Sequence, residues 1–89
     1  IGMIWGTRLI SPTGLFASDT APWPGNNPPA RYIVFMTDGA MAPNDEIYGL
    51  YGLEYYDKRI KGSSSTSLTT LHNTRFTTAC AAAKARGIV

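Results

Sequence analysis

The stretch Tyr32-Ile33-Val34-Phe35-Met36-Thr37-Asp38-Gly39 decides how the rest of the chain is read. Apolar and aromatic residues stand in unbroken succession from Tyr32 to Met36 and then stop at a turn. A surface helix spaces its apolar residues with a period of 3.6, and a half-buried strand alternates with a period of two. The run does neither. It fits a strand buried on both faces, as in parallel sheets covered by helices. Read outward from this strand, the chain is expected to be α/β.

Upstream, Ile1, Ile4, Trp5 and Leu9 recur at the spacing of one helix face. Ser11-Pro12 and Thr13-Gly14 end that pattern, because proline denies its predecessor the helical region and glycine punctuates the exit. Residues 19–30 hold Pro22, Pro24, Gly25, Asn26, Asn27, Pro28 and Pro29, too many breakers for regular structure. They form a loop, with Trp23 as an aromatic that pins it.

Downstream, residues 44–65 make a Tyr- and Gly-rich insert with Tyr48, Tyr51, Tyr55, Tyr56, Gly49 and Gly52. The tyrosine spacing suits half-burial better than a stacking site. The pairs Glu54/Lys58 and Asp57/Lys61 lie four residues apart, which predicts a short helix from Leu53 to Ile60 closed by Gly62. The hydroxyls of Ser63 to Thr66 can cap the next helix. Leu68, Leu71, Phe76, Ala79, Cys80 and Ala83 mark one face of that long helix, with Lys84 and Arg86 at the dipole's negative end and Gly87 as its left-handed stop. Ile88 and Val89 read as the first residues of a strand. The chain thus opens inside a helical pattern and closes at a strand's start. The expectation is a partial domain spanning residues 1–89, truncated at both ends.

Composition narrows the functions. The 89 residues carry 44% hydrophobic and only 16% charged side chains, which excludes a disordered charged tail. A net charge of +2, with no long cationic run, gives no nucleic-acid footprint. No apolar stretch approaches the ~20 residues of a membrane span. The lone Cys80 can build neither a disulfide framework nor a thiolate metal site.

Chemistry is best sought at Asp38. In open α/β sheets ligands gather beyond the carboxyl ends of strands, and Asp38 stands there, followed by Gly39 for a sharp turn. A carboxylate so placed can ligate a metal, accept a phosphoryl group, act as a general base or cap a turn. Asp45 and Glu46 follow in the same loop region and suit solvation. His72 has no second ligand nearby, and Cys80 on an apolar face behaves as a small hydrophobe. No phosphate loop, nucleophile elbow or zinc-protease motif is present, so no enzyme is specified.

The strings IGMIWGTRLISPTGLF (residues 1–16), YIVFMTDG (32–39) with MAPN (41–44), His72-Asn73, Arg75-Phe76 and ACAAAKARGI (79–88) together resemble the carboxy-terminal half of TadG-like proteins. These are pilus-assembly proteins of bacterial tight-adherence systems, with a von Willebrand factor type A (VWA) domain after a membrane anchor. The resemblance implies a doubly wound, mostly parallel, Rossmann-like sheet with a metal-ion-dependent adhesion site at its carboxyl edge. It implies a non-catalytic, divalent-cation-dependent module binding protein partners of the pilus-assembly machinery or cell envelope. The place would be the bacterial cell envelope, on the periplasmic or extracytoplasmic face, with the parent protein anchored to the inner membrane and this segment not itself spanning. The implied cofactor is Mg²⁺, or Mn²⁺ or Ca²⁺. Asp38 alone matches the site, as its third-motif aspartate; the D-x-S-x-S motif and the second-loop threonine would lie upstream of Ile1. One carboxylate rarely holds a hard cation that prefers about six oxygens, so binding is expected of the full-length domain. Two other readings stand beside this one: a receiver-like α/β domain with Asp38 as phosphoryl acceptor, and a structural VWA-like domain whose metal site has decayed.

Overall fold

A computed structural model describes all residues from Ile1 to Val89. The element order is α1 (Gly2–Ile10), β1 (Tyr48–Gly49), β2 (Gly52–Leu53), α2 (Glu54–Asp57) and α3 (Leu68–Ala85). The chain divides into two compact units, one of Ile1–Met36 with Thr78–Val89 and the other of Thr37–Thr77. No helix is long and apolar enough to cross a membrane.

In the first unit, α1 ends where the sequence requires: Ser11 leaves the helix at φ −62°, ψ 132°, the extended conformation that Pro12 imposes on its predecessor. Ser11 is buried, and its Oγ accepts a hydrogen bond from the Thr13 N–H at 3.4 Å. The face that α1 covers differs from the expected stripe. Trp5 and Leu9 are exposed, whereas Met3, Ile4, Gly6, Thr7 and Ile10 are half-buried. The covered face lies against the Ile33–Phe35 segment: a methyl group at Gly6 would stand 3.6 Å from Ile33, and one at Gly2 3.7 Å from the Phe35 ring, ordinary contact distances that leave room for a small side chain.

The segment Tyr32–Met36, expected as a strand buried on both faces, is extended but not laddered. Only Arg31 and Ile88 form a β-bridge, which is parallel; the Ile33 N–H donates to the Val89 carbonyl at 2.8 Å and the Val89 N–H to the Arg31 carbonyl at 2.9 Å. Ile33 is half-buried against α1, while Val34 and Met36 remain 85% and 86% exposed. A strand buries both faces only when neighbours and helices flank it on each side, and residues 1–89 supply one short neighbour. Parallel pairing needs a long crossover, and the connection between Arg31 and Ile88 contains α3.

The end of α3 sets up that pairing. The Ile88 N–H donates to the Ala83 carbonyl at 3.2 Å and the Gly87 N–H to the Lys84 carbonyl at 3.0 Å, with Gly87 at φ +72°. This is the paired-bond termination in which a left-handed glycine reverses the chain and satisfies two orphan carbonyls. It brings Ala83 and Ile88, the third helical residue from the end and the third residue beyond it, into the buried core. The apolar face read from the sequence is the one the helix covers: Leu68, Leu71, Phe76, Ala79 and Cys80 are half-buried and Ala83 is buried. At the other end Ser67 caps the helix, its Oγ accepting the Thr70 N–H at 3.3 Å and bonding the Thr70 hydroxyl at 2.7 Å.

In the second unit, the insert forms an antiparallel hairpin that the tyrosine and glycine pattern did not announce. Tyr48 pairs with Leu53 and Gly49 with Gly52. The turn residues Leu50 and Tyr51 do not take positive φ; the left-handed step falls on Gly52 at φ +91°. The expected helix from Leu53 to Ile60 is cut to Glu54–Asp57, because Lys58 turns left-handed at φ 47°, ψ 34°. The two expected acid-to-base pairs give way to backbone acceptors. Asp57 Oδ2 accepts the Leu53 N–H at 2.8 Å. Glu54 accepts the Ile60 N–H on both carboxylate oxygens at 3.1 Å and the Lys61 N–H on Oε1 at 2.7 Å. Unpaired amides compete better for a carboxylate than solvated lysines do, since exposed ion pairs contribute little.

Candidate functional site

Asp38 lies in the bend that follows the extended segment, with Thr37, Gly39 and Ala40 also exposed. The bend is held loosely. The Gly39 N–H donates to Thr37 Oγ1 at 3.5 Å, and that hydroxyl faces the Gly39 carbonyl at the same distance. Gly39 does not take a left-handed conformation, and an added Cβ there would meet nothing within 4 Å. The chain bends at residues 38–40, and the bend does not require a left-handed glycine. The Asp38 carboxylate stands open to solvent and to any partner.

The backbone of the neighbouring acidic residues is tied locally. Asn44 Oδ1 accepts the Glu46 N–H at 2.9 Å, closing an Asx turn, and the Asp45 carbonyl accepts the Tyr55 N–H at 2.9 Å. His72 and Cys80 are half-buried on α3. No three His, Cys, Asp or Glu residues stand close enough together to hold a metal ion. Mg²⁺ demands near-octahedral oxygen coordination, and Ca²⁺ takes six to eight oxygens. Residues 1–89 do not by themselves fit either ion, or Mn²⁺: they offer one carboxylate, Asp38, at the expected position.

The tyrosines are more exposed than their spacing suggests, with Tyr48 at 80% and Tyr56 at 75%. Two contacts give them defined partners. The Arg75 guanidinium lies over the Tyr51 ring, 5.1 Å from its centroid, and its Nη2 donates to the Tyr51 hydroxyl at 3.0 Å. Tyr55 and Tyr56 meet edge to face at 4.9 Å. Such contacts favour a planar cation over a ring face and crossed aromatic pairs. The Arg75–Tyr51 link spans 24 positions, beyond any local pattern, so no periodicity argument could find it.

The loop of residues 19–30 carries a feature that its breaker-rich sequence did not disclose. A shallow, open cleft of about 620 Å³ lies between this loop and residues Ile10, Arg31 and Tyr32, and its loop wall, residues 21–30, is exposed throughout. Its signal in the sequence was Trp23 between two prolines, an aromatic on a stiff backbone with no apolar neighbours to bury it. Comparison with protein-family models, with curated proteins and with solved structures finds no match to this chain.

Proposed function

We propose that the chain is part of a non-catalytic, protein-binding module of VWA type from a bacterial cell-envelope pilus-assembly protein, with Asp38 as its cation-facing carboxylate. The observation that carries this reading is the parallel bridge between Arg31 and Ile88, with α3 in the connection and an exposed Asp38 seven residues past the bridge. A parallel pair joined through a helix is the elementary unit of a doubly wound sheet. Val34 and Met36, uncovered here, are what such a sheet would bury under further strands and helices. The family resemblance of residues 1–16, 32–44 and 72–88 supplies the rest: envelope location, protein partners and a divalent cation held jointly with donors beyond this set.

Mg²⁺ or Mn²⁺ binding by the full-length domain and by its Asp38→Ala variant tests the role of Asp38, since residues 1–89 alone bring no three candidate ligands together. Under this reading the variant binds the cation more weakly, and equal affinity in both removes Asp38 from the site. Incubation with a small phosphodonor separates this reading from a receiver-like one: the intact mass stays constant if Asp38 is an adhesion carboxylate, and a phosphoryl gain lost in Asp38→Ala overturns it.

A further inference from the structure

The cleft within the first unit is built from unlike chemical groups in a way that selects its ligand. Trp23 and Tyr32 reach it with 79% and 67% of their surfaces exposed. Prolines on either side of Trp23 fix φ, and the Asn26 N–H donates to the Trp23 carbonyl at 2.9 Å, so the indole stands on a pre-set turn. Asp19, Thr20, Asn26 and Asn27 bring polar side chains to the lining; the Thr20 hydroxyl donates to the Ala17 carbonyl at 3.5 Å, and none of the four is engaged by another protein side chain. Arg31 is the exception. Its Nη2 donates to the Thr20 carbonyl at 2.8 Å and its Nε is shut off from solvent, so the guanidinium ties the loop's two ends together instead of facing an incoming anion.

We propose that this cleft binds a neutral saccharide, with Trp23 as the stacking platform and Asp19, Asn26 and Asn27 as hydrogen-bonding partners of its hydroxyls. Ligand sites of this size combine aromatic walls with a few polar groups that set orientation. A sugar ring presents an apolar C–H face and a rim of hydroxyls, each both donor and acceptor. The face suits an exposed indole, and the rim suits a carboxylate and two amides, which between them accept and donate. A proline-rich peptide offers carbonyl acceptors without matching donors, so the Asp19 carboxylate would be desolvated with nothing to bond, a costly outcome. An anion would meet the Asp19 carboxylate, while the Arg31 guanidinium is committed through Nη2 to the Thr20 carbonyl and its unpartnered Nε is closed to solvent. A neutral, hydroxyl-rich ligand pairs the exposed carboxylate and the two amides without that repulsion. Saccharide binding here is independent of Asp38 and of the cation reading.

Heteronuclear NMR of the 89-residue chain, with chitotriose, cellotriose and maltotriose as probes, tests it. The indole N–H of Trp23 and the side-chain amides of Asn26 and Asn27 shift saturably with at least one trisaccharide, with a dissociation constant in the millimolar range or tighter. Trp23→Ala and Asp19→Asn each weaken that binding by about tenfold or more, while Trp5→Phe leaves it unchanged. Trp23 and Asp19 lie on an exposed loop, so backbone spectra of the variants retain the dispersion of the parent. Absence of a saturable shift with all three sugars, shifts that persist in Trp23→Ala, or a response at Trp23 to a proline-rich peptide alone overturns the proposal.

Discussion

Replacing Glu54 by alanine releases the turn after α2, and the structure sets the size of the effect. One carboxylate receives two backbone donors, Ile60 N–H on both oxygens at 3.1 Å and Lys61 N–H at 2.7 Å. A hydrogen bond to a charged group contributes about 1.5–3 kcal/mol when shielded. Here Glu54 and Ile60 are half-buried and Lys61 is exposed, so water replaces part of what is lost. The two donors together are then worth about 1–3 kcal/mol, or roughly fivefold to 150-fold in the equilibrium for opening the turn. Native-state amide hydrogen exchange reads this residue by residue. In Glu54→Ala, protection at Ile60 and Lys61 falls by that factor, while amides in the middle of α3 keep theirs. Glu54→Gln, which retains one carbonyl oxygen but no charge, recovers part of the loss. Lys58→Ala leaves Ile60 and Lys61 unaffected, because the carboxylate bonds amides and not that ammonium group. Unchanged protection in Glu54→Ala, or equal losses in Lys58→Ala, would refute the reasoning and restore the ion pair.

Three glycine-to-alanine changes separate backbone strain from steric room. Gly87→Ala meets no atom within 4 Å but must hold φ +72°, so it costs about 1 kcal/mol, read as a lowered urea midpoint. Gly52→Ala suffers both the φ of +91° and a collision with the Asp57 carboxylate, so it costs about 2 kcal/mol or more and exposes the Leu53 amide to exchange. Gly6→Ala has ordinary contact distance to Ile33 inside a helix, so it stabilises by about 0.5–1 kcal/mol; a lower melting temperature would show that the helix sits too close to Ile33 for a methyl group. Ser67→Ala removes the cap of α3 and costs about 1 kcal/mol, seen as faster exchange of the Thr70 amide.

Local signals were legible in proportion to how far the physics behind them stays local. The stop of α1 at Ser11-Pro12, the loop of residues 19–30, the apolar face of α3 and its end at Gly87 each follow from a steric or hydrogen-bonding rule acting within a few residues. The short helix failed as a reading because two rules competed for the same carboxylates. Four-residue spacing favoured lysines, but the left-handed turn at Lys58 placed unpaired amides nearer. The hairpin escaped notice because its turn carries no glycine or asparagine between the strands; Leu50 and Tyr51 stand there instead. At the candidate site, the sequence named Asp38 and placed it after the apolar run. It could not say that the bend would be open, or that no three His, Cys, Asp or Glu residues would gather closely enough to hold a metal ion.

By itself the amino-acid order determined where α1 stops, the apolar face and end of α3 and the positions of breakers, since each depends on torsional limits and on bonds spanning a handful of residues; the cap of α3 falls on Ser67, one residue past the expected Ser63–Thr66. Tertiary structure alone decided which face of α1 is covered, that residue 31 runs parallel to residue 88, and that Trp23 and Tyr32 share a cleft with Asp19. Those outcomes depend on how closely backbones can approach and on which donors lie within reach across the fold, and neither is written in the spacing of residues along the chain.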